Sequence, residues 1–171
     1  MRLTIRPMAP TDRNFVIESW ISSYRRSPHS GLIPMAMWHE VMAPIITRII
    51  DRPDVRTIVA ADADATDHTA DLFGWMTWMP REHPPLVFFT YVKHAARYDI
   101  QSRTGARIAT RLFRHAQIDP RAPFNYVCNT HVVGTLAAAG KIPKAKWRPL
   151  LGRFPKEHHG RTAEELDADA A

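Results

Sequence analysis

Pro85-Leu-Val-Phe-Phe-Thr-Tyr-Val92 leads through a polar connection, Lys93 to Thr104, and Gly105 into a run where Ile108, Ala109, Leu112, Phe113 and Ala116 recur at helical spacing. The β-branched and aromatic content of the first segment predicts a buried strand. The spacing of the last predicts a helix reaching about Gln117. The unit therefore reads strand, basic loop, helix. The loop carries Arg97 and Arg103 and delivers the chain to a helix start. Unpaired N–H groups and the positive end of the helix dipole meet there, so the point suits an anion such as a phosphate.

Working outward, Leu3-Thr-Ile-Arg-Pro7 alternates as a short strand, and Thr11 and Asp12 supply an N-cap and a first-turn acid for a helix bearing Ile17, Trp20, Ile21 and Tyr24. A second helix is expected over Met37 to Asp51, with Pro44 kinking it or marking a later start. Val55 to Ala61 and Leu72 to Met79 read as strands joined by a polar connection, and the second is apolar on both faces, so both faces should be covered. After the central helix come a turn at Asp119-Pro-Arg-Ala-Pro123, a strand over Phe124 to Asn129, and an Ala-rich helix from His131 to Ala139 stopped by Gly140. Lys141 to Phe154 has room for one more short strand. This order predicts one α/β domain over residues 1–154, with a mixed, twisted sheet flanked by helices. The polar stretch 155–171 is expected to be a disordered tail.

With 171 residues, 45% of them hydrophobic, the chain is long enough for a sizeable core. No run approaches the roughly 18 apolar residues of a membrane span, and the first residues lack a signal-peptide core, so a cytoplasmic location is expected. The single cysteine, Cys128, has no internal disulfide partner and reads as a buried strand thiol. A net charge of +6 and a pI near 9.9 point to anionic partners: a phosphorylated cofactor, nucleic acid or an acidic protein. His158-His159 has no accompanying ligand pattern, so no metal is expected.

The element order and three local signatures resemble the GNAT superfamily of N-acetyltransferases, especially small phage-encoded members. Ile5-Arg-Pro7 with Thr11-Asp12 is similar to the family's opening strand and helix start. Arg107-Ile-Ala-Thr-Arg-Leu-Phe113 is similar to its motif A, with Leu112 and Phe113 on the paired apolar positions. Thr104 then stands where the motif has Arg or Gln, and Arg107 stands at its first glycine. Asn129 to Gly140 is similar to a third pattern, in which members often carry a tyrosine general acid where this chain has Leu136.

The resemblance implies an acyl-CoA-dependent N-acyltransferase that moves an acetyl group from acetyl-CoA to an unidentified amine. It implies that acyl-CoA inserts between the strands holding Tyr91 and Asn129. Backbone near Tyr91 and Val92 would take the pantetheine, and Arg103, Thr104, Gly105, Ala106, Arg107, Ile108 and Ala109 the pyrophosphate. The family's acceptor loop falls at Tyr24, Arg25 and Arg26, and Trp75 joins Tyr24 and Arg25 as a candidate acceptor contact.

Acetyl transfer needs a group to remove the ammonium proton, a polarised thioester and a proton for the leaving thiolate. Glu82, His83 and Tyr91 are the candidates. The alternative is a protein of the same fold that binds CoA, nucleic acid or protein through its basic face without turnover. Arg103, Arg107, Arg111 and Arg114 lie near one face of the central helix and would meet phosphates.

Overall fold

The computed structural model describes residues 3–25, 34–64, 72–93 and 108–149. Six strands form one sheet in sequence order: β1 (Leu3–Pro7), β2 (Arg56–Asp62), β3 (Leu72–Met79), β4 (Leu86–Val92), β5 (Phe124–Tyr126) and β6 (Ala145–Trp147). The first four are antiparallel neighbours, whereas β4–β5 and β5–β6 pair parallel, as the intervening helices require. The helices are α1 (Arg13–Tyr24), α2 (Met35–Asp51), α3 (Ile108–His115) and α4 (His131–Ala138). The mixed sheet flanked by helices is the architecture that the sequence predicts.

Both faces of the sheet are covered, as the two-sided apolar character of Leu72 to Met79 demands. On one face Val16, Trp20 and Ile21 of α1 and Trp38, Met42, Ile46 and Ile49 of α2 pack against Val59, Trp75, Leu86 and Phe89. On the other, Ile108 and Leu112 of α3 pack against Ile58, Ala60, Met76 and Val87. Buried polar atoms of the first face find partners: the indole N–H of Trp75 donates to Ser19 Oγ at 2.7 Å, and that of Trp38 to the Ile21 carbonyl at 3.1 Å. The half-buried Thr57 and the buried Thr77, in register on β2 and β3, bond each other through their hydroxyls at 3.0 Å.

Three local expectations change. Thr11 is not the N-cap of α1, which directly follows Asp12, and Asp12 is a first-turn acid of the short turn Pro10–Asp12 rather than of α1. Asp12 is fully buried, accepts from the Ala9 N–H at 2.7 Å and binds the Arg6 guanidinium, clamping β1 to the turn that follows it. Pro44 does not delay α2, which starts at Met35 and runs through it, because the proline lies on the exposed side. The strand expected over Phe124 to Asn129 ends at Tyr126, since only its first residues have β4 and β6 beside them. The short strand expected after Lys141 is present as β6, whose Trp147 indole N–H donates to the Val127 carbonyl at 2.9 Å. Residues 150–171, with the expected tail and His158-His159, lie outside the described residues, as does the connection 65–71.

Candidate functional site

The sheet comes apart along one side of β4. β4 pairs with β3 along its length, from Leu86 opposite Met79 to Val92 opposite Gly74. Against β5 it pairs only Leu86 with Asn125 and Val87 with Tyr126, and a last bond runs from the Val127 N–H to the Val87 carbonyl at 3.1 Å. The five residues from Phe88 to Val92 therefore extend about 16 Å past the last contact between the two strands. A register shift between Thr77 and Trp78 leaves two residues of β4 facing one step of β3 where the pairing with β5 stops.

Backbone polarity along that stretch follows from one bond. The Lys93 N–H donates to the Phe73 carbonyl at 2.7 Å, so Lys93 faces β3. Antiparallel alternation then turns the N–H and C=O of Tyr91 toward β3, and those of Thr90 and Val92 toward the side that β5 has left. Of the two residues expected to bind a cofactor through backbone, Val92 presents its groups to the opening and Tyr91 does not. The side-chain hydroxyl of Thr90 is buried with no hydrogen-bond partner among the described residues, a costly state in a protein interior.

The helix start is held at the same end of β4. A Cβ built at Gly74 would lie 2.5 Å from the Tyr91 carbonyl oxygen and 3.1 Å from Ile108 Cγ2. Gly74 is opposite Val92 in register, so the first turn of α3 sits over the end of β4 because this one position of β3 has no side chain. The connection from β4 to α3 thus leaves and returns at one place. Ile108 is fully buried and Ala109 half-buried, which fixes the helix start. Arg103, Thr104, Gly105, Ala106 and Arg107, expected to cradle a pyrophosphate, lie outside the described residues, as do Arg97 and Arg26. Sequence reasoning missed Gly74. Its signal was a lone glycine among the large residues of Leu72 to Met79.

Tyr91 is half-buried between Trp75, stacked at 6.1 Å, and Phe15, edge-on at 6.0 Å. Trp75 is fully buried, so it supports Tyr91 from beneath. Glu82 and His83 occupy the turn between β3 and β4, at the opposite end of β4 from Tyr91, with the last β4–β5 contact lying between. The structure does not bring these three together. Asn129 is half-buried three residues beyond β5, next to Thr130, whose hydroxyl accepts the Val133 N–H to cap α4. Leu136, where the resembled family often has tyrosine, is 40% exposed.

Tyr24 stands closer to the opening. At the end of α1 its ring packs on Trp38 at 5.6 Å and edge-on to Phe89 at 6.5 Å. Its phenol is near Cys128, which directly follows the residue making the last bond to β4. Burial, and secondarily the Cys128 thiol, push the phenol up to about 12. It stays protonated at neutral pH and can donate. Burial also pushes the Cys128 thiol up to about 12, against a smaller opposing pull from the Trp20 indole N–H, which otherwise has no partner. Cys128 is no nucleophile. Arg25 follows Tyr24, half-buried, its N–H closing the helix on the Ile21 carbonyl.

No family model matches the chain, and no curated protein matches it in sequence. Among solved structures the chain is similar to N-acetyltransferases. One is a ribosomal-protein-alanine N-acetyltransferase from Brucella melitensis biovar Abortus 2308, 13% identical, covering 100% of this chain and 91% of that one at a TM-score of 0.43. Another is the PaiA N-acetyltransferase from Thermoplasma acidophilum in complex with coenzyme A, 19% identical over 68% of this chain and 70% of that one, with a TM-score of 0.43. A third is a spermidine N-acetyltransferase from Vibrio cholerae in complex with CoA and spermine, 16% identical, covering 67% and 63% at a TM-score of 0.39.

Among the described residues no helix is long and apolar enough to cross a membrane, and no group of three or more His, Cys, Asp or Glu is placed to hold a metal.

Proposed function

We propose that the protein is an acyl-CoA-dependent N-acyltransferase, transferring an acetyl group to an amine. One observation carries the reading: β4 continues past its last bond to β5, and the start of α3 is seated over the same end of β4 by Gly74. An extended amide chain can pair with strand backbone there, while its phosphates meet a helix start. The outward-turned backbone of Thr90 and its hydroxyl, which has no hydrogen-bond partner among the described residues, fit an amide of a pantetheine arm. The stretch Arg107 to Phe113, which resembles motif A of that family, includes the described start of α3 at Ile108.

Acyl-CoA would supply a thioester, whose carbonyl carbon an amine attacks. Tyr24, half-buried near Cys128 and protonated at neutral pH as any phenol is, is the group we assign as hydrogen-bond donor to the thioester oxygen or the departing thiolate. The high pKa of Cys128 argues against a covalent acyl-cysteine route and for direct attack by the amine. Tyr91, with Trp75 behind it, shapes the wall on the α1 face.

Calorimetric titration with acetyl-CoA, followed by detection of free thiol from acetyl-CoA over a panel of amines, tests this. Saturable heat with thiol release dependent on an amine is expected. No heat and no thermal shift at millimolar CoA would remove acyl-CoA from the reading. Binding without turnover on any amine would favour the non-catalytic reading, for which Leu136 and the remote Glu82 and His83 speak.

A further inference from the structure

The positive charge of this protein is segregated. Between residues 108 and 149 the chain holds seven Lys and Arg against one acid, Asp119, while the rest of the described residues hold eight of each. The excess of six in this segment equals the net charge of the whole chain, +6. Elsewhere guanidinium groups are tied to carboxylates, as in Arg6–Asp12, Arg13–Asp51 and Arg52–Asp54. In this segment none of the seven enters an ion pair among the described residues, and all seven are exposed. Leaving like charges side by side on one part of a surface raises a field that an anion would relieve.

The four C-terminal members, Lys141, Lys144, Lys146 and Arg148, lie in and around β6, the outermost strand. Trp147, next to Lys146 and Arg148 in sequence, is 45% exposed, its ring anchored by the indole bond to the Val127 carbonyl. An anchored, half-exposed indole on a strand flanked by exposed cations matches a base-stacking platform beside a phosphate track. Arg111, Arg114 and Arg121 are exposed on α3 and on the turn before β5, elements that pack next to β6: Phe113 of α3 is edge-on to Phe124 at 5.6 Å, and Phe124 is in register with Ala145.

We infer that the β6 edge is a binding surface for single-stranded nucleic acid, with phosphates on Lys141, Lys144, Lys146 and Arg148 and a base on Trp147. Only unpaired bases offer their faces to a side chain, which favours a single strand over a duplex. The surface lies on residues apart from the β4 opening, so the inference does not depend on the acyltransferase reading.

The test is fluorescence anisotropy of the full chain with fluorescein-labelled single-stranded RNA and DNA oligonucleotides, over about 50 to 200 mM salt. The log–log salt slope should fall by about 0.7 for each phosphate contact removed, so the triple variant Lys141→Ala, Lys144→Ala, Lys146→Ala should lose roughly two units and at least about tenfold in affinity. Trp147→Ala should weaken binding by about tenfold or more, and Trp147→Phe, which keeps a stacking ring but loses the indole bond, by much less. The thermal melt of the lysine variant should match the parent closely, because the altered lysines are solvent-facing, and the Trp147 variants, which lose the bond to the Val127 carbonyl, should melt lower but remain folded at the assay temperature. A parent that binds neither oligonucleotide, a triple variant that binds like the parent, or poly-glutamate competing as well as RNA at equal charge would overturn the inference. The last result would point to an acidic protein instead.

Discussion

The antiparallel half of the sheet and its parallel half are built to different standards. From β1 to β4 each strand pairs over five to seven residues, both faces are covered, and acids and bases balance. From β4 to β6 the pairing shrinks to two and three residues, the outer strand leaves an indole in solvent, and the charge is unrelieved. Extensive burial and complete ladders hold the first half, so it supplies the rigidity. The second half has fewer such contacts and carries exposed cations and a 45% exposed indole along its outer strand.

The largest way to break this contrast is to hollow the first half. Trp75→Ala, removing a fully buried indole stacked on Phe89 and Tyr91, should cost about 3–5 kcal/mol in urea denaturation. Trp147→Ala, at the half-exposed edge, should cost well under half of that. Equal costs would mean that the parallel half is as structural as the antiparallel one. Next in size, Tyr24→Phe should lower kcat about a hundredfold with little change in KM for acetyl-CoA, a loss within the usual range for a general acid. An unchanged kcat would take Tyr24 out of the chemistry.

Gly74→Ala places a methyl group against backbone at Tyr91 and against Ile108. It should cost about 1–3 kcal/mol of stability, and it should weaken acetyl-CoA binding in calorimetry by more than that stability loss explains, since it displaces the helix start from the end of β4. A variant that loses stability but binds normally would separate the seat of α3 from the site.

Alkaline pH probes the seam between the halves, where Tyr24 and Cys128 meet. Both groups have folded pKa values raised to about 12, from 10.0 for the phenol and 9.0 for the thiol. In the unfolded chain they ionise first, so their contribution is complete below about pH 9 and disappears as the pH climbs to about 12. The melting temperature should fall over that interval, and Cys128→Ala should flatten the part that begins near pH 9. A flat profile in the parent would mean that neither group is buried as described.

Much of the fold was legible because it rests on local pattern. Leu3–Pro7 and Leu72–Met79 have the boundaries that alternation and β-branched content give, and Ile108 and Leu112 mark the buried face of α3 as their spacing requires. The candidate site was less legible because it depends on where strands stop pairing. Nothing in Phe124 to Asn129 says that β5 ends at Tyr126, and the parity that turns Val92 outward is set by a single bond from Lys93 across to Phe73. Glu82 and His83 carry suitable chemistry, yet a turn at the far end of β4 removes them from the opening. Tyr24 drew attention only through a resemblance, while its perturbed phenol arises from Phe89, Trp38 and Cys128, which are distant in sequence.

The smallest expected effect falls on Arg111 and Arg114, and it sharpens the comparison most narrowly because these residues lie on α3, whose start belongs to the opening and whose exposed side belongs to the basic surface. Both are exposed and neither is in an ion pair among the described residues, so replacing both by Ala should leave stability within about 0.5 kcal/mol. Acetyl-CoA affinity should change little, since Arg114 lies beyond the first turn of α3, within which a helix dipole acts, and Arg111 closes that turn with an exposed side chain. Oligonucleotide binding should weaken less than in the β6 lysine variant, with the salt slope reduced by no more than about 1.4 units for two phosphate contacts. A double variant that abolishes acetyl-CoA binding while leaving the oligonucleotide slope intact would reverse the assignment of the two surfaces, making α3 wholly part of the opening and confining nucleic acid to β6.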